Sequence, residues 1–136
     1  MKLLMIYTDR FHYQTAVKVL GEEPDRDEER ELQDVLVGLI HVEAADEVSS
    51  AGVEKKLVKN LKWGARKNDT QRIVLHSFSH LAETKAGADF TRELLNRSAE
   101  RLRAAEYPTW QTPFGYFLDL DLQAPGRSTA RIFTPF

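Results

Sequence analysis

Hydrophobic residues in the first part of the chain fall in short runs that predict β-strands. Lys2–Thr8 is almost continuously apolar and predicts an interior strand. Phe11–Val19, with β-branched residues in looser alternation, predicts a second strand paired with the first, with a short helix as the alternative. Val35–Val42 has the clearest strand pattern, and Gly38 within it indicates a bulge or a close backbone approach. Arg72–Ser77 predicts a further buried strand.

Three other segments favour helices. One is predicted from Ser49 or Ser50 to about Lys67, and its apolar residues recur every four positions, at Val53, Leu57, Leu61 and Ala65. A second helix is predicted over roughly Ala88–Glu106. A loop merging into a short charged helix is predicted within Gly21–Arg30, where Pro24 and Asp25 resemble a helix start.

The C-terminal part predicts strands again. A short strand is predicted around Trp110, and Phe114–Leu122 alternates as a half-buried strand does. Ala124–Gly126 is a turn signal, so Ser128–Phe133 is predicted to close a final hairpin. The total is two main helices among six or seven strands. We therefore predict an α+β fold, one domain over residues 1–136, with a mixed sheet and the two helices packed on one face.

Composition narrows the class of protein. The chain has 136 residues, of which 42% are hydrophobic and 29% charged, as in an ordinary globular domain. It has no cysteine, which excludes disulfides, thiolate metal sites and cysteine nucleophiles. The apolar N-terminus is too short for a signal peptide, and no run reaches the roughly 20 apolar residues of a membrane helix. A cytoplasmic location and no contact with a membrane are expected.

Charge is distributed unevenly along the chain. Glu22–Asp34 holds eight acids and two arginines, a sum of −6, so the remainder carries +4 of the net −2. Four cations recur at helical spacing in the first predicted helix, at Lys55, Lys59, Lys62 and Arg66. They form either a solvated helix face or a set of contacts to RNA phosphates, with Trp63 beside them able to stack on a base or to pack.

His80 is the main candidate for chemistry. It follows the strand Arg72–Ser77, and polar residues at strand ends often form the sites of α/β proteins. It is either a substrate-orienting or acid–base histidine, or a structural one bonded to a backbone carbonyl. His76 and His80, with Glu83 further on, have the spacing of metal ligands on a helix, but His76 lies in a predicted strand, which disfavours a metal site. The orientations of His12 and His41 stay open.

Other candidates are weaker. Ser77, Ser79 and Thr112 are possible nucleophiles, but none lies in a Gly-x-Ser-x-Gly elbow. Neither a Walker A loop nor a dinucleotide fingerprint is present, and no cofactor is predicted. Pro113–Tyr116 reads Pro-Phe-Gly-Tyr and is either a turn where Gly115 lets a ligand approach the main chain or simply the start of a strand with a core aromatic.

Five segments together resemble one family across nearly the whole chain. The sequence is similar to the N-terminal editing domain of archaeal threonyl-tRNA synthetases, which is related in fold to D-aminoacyl-tRNA deacylases. Its most specific motifs are Phe-x-His-Leu and Pro-Phe-Gly-Tyr. The segments are residues 2–9, 35–43, 77–81, 94–97 and 112–116.

The resemblance implies a homodimer that hydrolyses serine mistakenly attached to threonine tRNA, because binding alone separates such similar side chains poorly. The implied partners are the aminoacylated 3′ end of tRNA and a threonyl-tRNA synthetase that lacks its own editing domain, and no cofactor is implied. His80 would orient the aminoacyl group, and Val42 would flank the adenine. The other substrate-binding residues implied are Phe78, Ser79, Pro113, Gly115, Tyr116 and Phe117.

Two positions depart from the family pattern. Pro-Phe-Gly-Tyr continues with Tyr-Lys in the family, but here with Phe117-Leu118, so the catalytic lysine is missing. An Ala-Glu pair of the family is replaced by Ala130-Arg131. The expected function is an aminoacyl-tRNA deacylase acting in trans. The alternative is an inactive homologue that binds tRNA 3′ ends or nucleotides, or a dimeric interaction module.

Overall fold

One long strand runs through the centre of the sheet. In the computed structural model, which describes residues 1–136, β1 spans Lys2–Lys18 without interruption. The prediction of two paired strands here is wrong. Arg10, at the expected break, stays extended because its backbone pairs with Gln33 on one neighbouring strand and Gln123 on the other. Its guanidinium also bridges carboxylates on both strands, Glu31 at 3.0 Å and Asp121 at 2.7 Å.

β1 has different partners along its two edges. One edge pairs antiparallel with β2 (Glu29–His41). The other pairs with β6 (Arg131–Pro135) near the start of β1 and with β5 (Tyr116–Gln123) near its end. β3 (Ile73–Ser77) and β4 (Thr109–Gln111) extend the sheet in parallel beyond β2. The strand order is β4-β3-β2-β1-β5, with β6 on β1, so the sheet is mixed as predicted.

The predicted C-terminal hairpin is wrong, because β6 pairs with β1 and not with the preceding β5. Residues Ser128–Ala130 form a 3₁₀ helix that redirects the chain. Ala130 is fully buried in the core beneath the helices, and Ile132 packs against the same core. Burial of these two residues draws the last strand to the start of β1.

The charged helix predicted within Gly21–Arg30 is also absent, because the segment is a loop that leads into β2. Its backbone bonds to β1 instead of to itself. The Thr15 amide donates to the Glu28 carbonyl at 2.9 Å, and the Glu28 amide donates to Thr15 Oγ1 at 3.0 Å. The Tyr13 hydroxyl also bonds the Glu28 carboxylate.

The two main helices follow the prediction closely. α1 spans Ser50–Lys67 and α2 spans Ala88–Ala104, and both pack on one face of the sheet. A Cβ built on Gly38 would lie 2.8 Å from Cδ2 of Leu61, which confirms the expected close approach at this glycine. Each fully buried leucine, such as Leu61, contributes roughly 1.5–3 kcal/mol by leaving water. A second 3₁₀ helix, Ala44–Glu47, precedes α1.

The opposite face of the sheet curves around a second, smaller apolar cluster. All five strands of the main path contribute to it, including the two outermost, through residues such as Tyr13, Val37, Val74, Trp110 and Leu122. Only four residues connect β4 to β5. The two ends of the strand order therefore approach each other, and the end of β3 comes to lie beside the start of β5. No helix in the structure is long and apolar enough to cross a lipid bilayer.

Candidate functional site

A cavity of about 540 Å³ lies where the end of β3, the start of α2 and the start of β5 meet. It collects most of the site residues expected from sequence, although they come from two segments far apart in the chain. The expected residues that line it are Phe78, Ser79, His80, Pro113, Gly115, Tyr116 and Phe117. Val42 does not line it. That side chain is 2% exposed in the core, and its carbonyl accepts a hydrogen bond from the Ala86 amide at 3.0 Å.

His80 is exposed at the mouth of this cavity and is held by two aromatic rings. Its ring stacks on Phe117 with centroids 6.2 Å apart and planes 19° apart, and it meets Phe78 edge-on at 4.9 Å. Neither ring nitrogen forms a hydrogen bond within the protein. The structural interpretation, in which a backbone carbonyl satisfies the imidazole, therefore does not describe His80. Its nitrogens are available to a ligand.

The loop that carries His80 is fixed by His41, whose role the sequence did not indicate. His41 is 1% exposed at the end of β2. The Leu81 amide donates to His41 Nδ1 at 2.9 Å, so Nδ1 is unprotonated and Nε2–H donates to the Thr84 carbonyl at 2.6 Å. One neutral imidazole thus holds the backbone on the C-terminal side of His80.

His76 lies deeper in the same cavity. It is 6% exposed, as expected of a residue packed within a strand, but it also lines the cavity. Its Nδ1 lies 2.9 Å from Thr112 Oγ1. The Thr112 amide already donates to the Leu75 carbonyl at 3.0 Å, while the hydroxyl lies 3.5 Å from that oxygen. The Thr112 hydroxyl thus bonds Nδ1, and either partner can carry the shared proton, because the hydroxyl is also within reach of the Leu75 carbonyl.

Nε2 of His76 has no hydrogen-bond partner within the protein. Ser98 Oγ is the only side-chain nitrogen or oxygen that is both buried and without a partner, so Nε2 of His76 is not buried. It is therefore accessible from the cavity. Burial, with a smaller contribution from the charge of His80, lowers the pKa of His76 to about 4. At neutral pH, His76 is therefore an uncharged imidazole. Thr112 does not line the cavity, so its contact with a histidine does not make it an accessible nucleophile.

Gly115 is constrained by the protein itself. Its φ is +83°, and an added Cβ would lie 2.8 Å from Cγ of Glu23 and 3.1 Å from Cβ of Leu20. Its carbonyl accepts the Val19 amide at 2.8 Å. The close approach predicted for a ligand is therefore occupied by the loop after β1, although Gly115 still borders the cavity.

Tyr116 is tied to the same loop. Its hydroxyl donates to the Pro24 carbonyl at 2.6 Å and accepts the Arg26 amide at 2.7 Å. With both capacities of the hydroxyl used, Tyr116 offers its ring to the cavity. The acidic loop thus supports one wall of the site.

The charges around the cavity differ from those expected of the family. Leu118 lines it, whereas Arg131 is exposed and lies outside it. Lys85 is the only lysine, arginine, aspartate or glutamate that lines it, and no motif in the sequence marks this residue. The first turn of α2, at Gly87 and Ala88, also borders the cavity and brings the positive end of a helix dipole to it. The lining therefore favours an anionic ligand.

The four-cation stripe of α1 does not reach this cavity. Lys59 and Arg66 line a separate groove against β6, together with Trp63. Lys55 and Lys62 line neither cavity. The sequence prediction of RNA contacts by the stripe is thus independent of the site around His80.

Comparison with known proteins gives a consistent picture. A family profile described as the archaea-specific editing domain of threonyl-tRNA synthetase matches residues 1–135. Threonine–tRNA ligases of Methanopyrus kandleri and Thermofilum pendens are 29% and 26% identical over 97% of this chain. The chain spans only 21% and 22% of the length of those relatives. The solved structure of a c-Myc DNA Unwinding Element Binding Protein has a TM-score of 0.74 at 12% identity, covering 100% of this chain and 99% of that one. That likeness shows the fold and is consistent with the α+β class predicted from the sequence.

Proposed function

The chain belongs to the archaea-specific editing-domain family of threonyl-tRNA synthetase, and from that premise we propose that it is a proofreading aminoacyl-tRNA deacylase. Its substrate is threonine tRNA mischarged with serine, or a related aminoacyl-tRNA ester, which it cleaves in trans in the cytoplasm. One observation carries the proposal: His80, unbonded within the protein, stands on Phe117 at the mouth of a cavity that contains no carboxylate.

The cavity suits the end of a charged tRNA in size and chemistry. A volume of about 540 Å³ is in the range of sites for small ligands, and a terminal nucleoside with its amino acid is such a ligand. Aromatic walls at Phe78 and Phe117 can receive a base or ribose face. Lys85 and the start of α2 attract the phosphate that precedes the terminal nucleoside.

Hydrolysis in this site needs a water and well-placed donors. Water attacks the ester carbonyl, the new carbon–oxygen bond replaces the ester bond, and the released ribose oxygen takes a proton. His80 orients the aminoacyl group, while His76, with its proton on Nε2, donates to an ester oxygen where negative charge develops. Because both contacts position groups and do not require a charged side chain, the reaction tolerates leucine at position 118 with a lower rate.

A second candidate function is favoured by Leu118. An apolar side chain lines the cavity where the family has an amine, so no strong acid or base stands beside His80. An inactive homologue that binds tRNA 3′ ends or nucleotides would use the same cavity without chemistry. Under either function the tRNA is the partner, and a threonyl-tRNA synthetase that lacks an editing domain would benefit from the activity.

We also propose that the protein is a homodimer. No helix packs on the face of the sheet opposite α1 and α2, and half-buried apolar residues such as Leu4, Ile6 and Trp110 lie on that side. An uncovered apolar sheet face is a common dimer interface.

The test is release of amino acid from seryl-, threonyl- and D-aminoacyl-tRNA. We expect release from at least one of them above buffer hydrolysis, and a loss of at least tenfold in His80→Ala. The matched control is His12→Ala, which removes a histidine bonded only to Glu29 at 2.7 Å, away from the cavity. Absence of release from all three overturns the deacylase and leaves the binding function, which is measured with a non-hydrolysable 3′-aminoacyl adenosine. An unchanged rate in His80→Ala overturns the assignment of the site.

A further inference from the structure

Helix α1 carries an excess of charge that the protein does not neutralise. Its six cations face a single acid, Glu54, which gives the helix +5 while the rest of the chain carries −7. Glu54 itself forms ion pairs with two arginines of α2, Arg97 at 2.7 Å and Arg101 at 3.0 Å. None of the six forms an ion pair: Lys55, Lys56, Lys59, Lys62, Arg66 and Lys67. The excess is therefore available to an outside polyanion.

A groove of about 370 Å³ runs between α1 and β6 beside these cations. It shares no residue with the cavity around His80. Lys59 and Arg66 stand on its α1 side with Asn60, and no acidic residue lines it. Two aromatic residues from different elements line it, Trp63 from α1 and Phe133 from β6.

These aromatic rings are unusually open to water. Trp63 is 39% exposed and Phe133 is 51% exposed. Among the phenylalanines, tyrosines and tryptophans of the chain, only Phe117 is similarly exposed, and it borders the first cavity. Every exposed aromatic side chain of the protein thus lines one of two recesses. An aromatic side chain left in water beside cations is suited to stacking on a nucleobase.

We propose that the groove between α1 and β6 is a second RNA contact, which holds one unstacked base of a single-stranded segment against Trp63 and Phe133 while α1 binds the adjoining phosphates. The row from Lys55 to Arg66 extends about 16 Å along the helix, enough for more than one phosphate. The proposal rests on the proposed function in taking tRNA as the RNA. Charge without base stacking would fit an acidic peptide equally well, and the aromatic pair selects RNA.

A single-tryptophan protein gives the direct measurement. Trp110→Phe leaves Trp63 as the only tryptophan, and the change is conservative on the other face of the sheet. Titration with a single-stranded RNA heptanucleotide that carries no amino acid is expected to quench Trp63 fluorescence. The same strand in a duplex, and an abasic strand with the same phosphates, are expected to quench little. Equal quenching by the abasic strand overturns stacking, and no quenching by any RNA overturns the site.

Variants separate the base contact from the phosphate contacts. By anisotropy of labelled RNA, Trp63→Ala is expected to weaken binding about tenfold, and Trp63→Phe to restore most of it. Lys59→Gln and Arg66→Gln are each expected to lower the slope of log affinity against log salt by about 0.7, whereas Arg26→Gln, an exposed cation of the acidic loop, keeps the slope. All these side chains are exposed, and a thermal melt confirms folding. An Arg26→Gln effect equal to Lys59→Gln overturns a local site.

Activity distinguishes this proposal from the proposed function. Trp63→Ala is expected to slow deacylation of intact aminoacyl-tRNA several-fold but to leave a minimal aminoacyl-adenosine substrate unaffected, because that substrate fills only the first cavity. Equal slowing of both substrates overturns the second contact. If the protein releases no amino acid at all, binding of RNA that carries no amino acid still tests whether the groove is an RNA contact.

Discussion

The amide of Leu81 donates a hydrogen bond to Nδ1 of His41, 2.9 Å away, across 40 residues of sequence. The other ring nitrogen bonds the Thr84 carbonyl at 2.6 Å. These two contacts attach the segment after His80 to the end of β2. The position of the exposed His80 imidazole therefore depends on a histidine that never meets the ligand.

His41→Ala is expected to remove both anchors and to leave the partly buried Leu81 amide and Thr84 carbonyl without a protein partner, at a cost of roughly 1–3 kcal/mol in the free energy of unfolding. The affinity for ligand should fall even under conditions where the variant is fully folded, because the loop that carries His80 is no longer held in place. Urea unfolding and binding of a 3′-aminoacyl adenosine analogue measure the two effects. His12→Ala serves as the control, and ligand binding unchanged in His41→Ala would contradict the positioning role.

His76 should make stability depend on pH. Because folding lowers its pKa from 6.5 to about 4, the unfolded chain binds more protons between these values. Its contribution is thus complete above about pH 6.5 and is lost as the pH falls towards 4, by roughly 2 kcal/mol between pH 7 and 5. Urea unfolding at the two pH values should show this loss in the native protein and in His12→Gln, but not in His76→Phe. An identical loss in His76→Phe would assign it to other groups.

Gly115→Ala should destabilise the protein and narrow the cavity. A φ of +83° disfavours alanine by about 1–2 kcal/mol, and the added methyl would also press on Glu23 and Leu20. Gly126→Ala is the matched control, because a Cβ there has no atom within 4 Å and its φ is not positive. Thermal melts of both variants check the contrast. Equal melting temperatures would show that the loop after β1 yields without cost.

Leu118→Lys should raise the rate of deacylation, because it places an amine on the wall of the cavity beside Phe117. Arg131 stands where the family has a glutamate, but it lies outside the cavity. We therefore predict that adding Arg131→Glu raises the rate little beyond the effect of Leu118→Lys. Single-turnover rates of the two single variants and the double variant decide between these outcomes. A gain that requires both changes would show that the C-terminal strand moves towards the site.

The proposed homodimer predicts a mass in solution near twice the 15.6 kDa of the chain. Ile6→Arg introduces a charge on the open face of the sheet and should shift the protein to monomer. Lys62→Glu changes charge on the helix side and should leave the dimer intact. Light scattering over a concentration series gives the mass, and circular dichroism confirms that each variant is folded. A monomer in the native protein would refute the dimer.

Local sequence signals predicted the elements that depend on local interactions. α1, α2, β2 and β3 each carry their own periodicity or β-branched run. The structure places α1, α2 and β3 within two residues of the prediction, whereas β2 begins at Glu29, six residues before its predicted start. The errors concern partners distant in sequence. β1 stays continuous at Arg10 because the backbone there pairs with β2 on one side and β5 on the other. β6 pairs with β1 and not with β5, because Ala130 is buried beneath the helices.

The candidate site divides in the same way. His80, Phe78 and Phe117 were predicted because family motifs mark them, and the structure brings them together. His41 and Lys85 were missed, since their importance comes from a loop contact and from the wall of a cavity. The free Nε2 of His76 follows from the contact of its other ring nitrogen with Thr112, 36 residues away in the chain, which no pattern in the sequence reveals.

The pairing of β1 also has a consequence for synthesis on the ribosome. β1 is made first, but the strands on one of its edges begin only at residue 116, which is 98 residues after Lys18. At about 5–20 residues per second, that edge waits roughly 5–20 s for its partners. An unpaired strand edge is a template for aggregation. Nascent chains should therefore need chaperone protection until β5 and β6 have emerged from the ribosome.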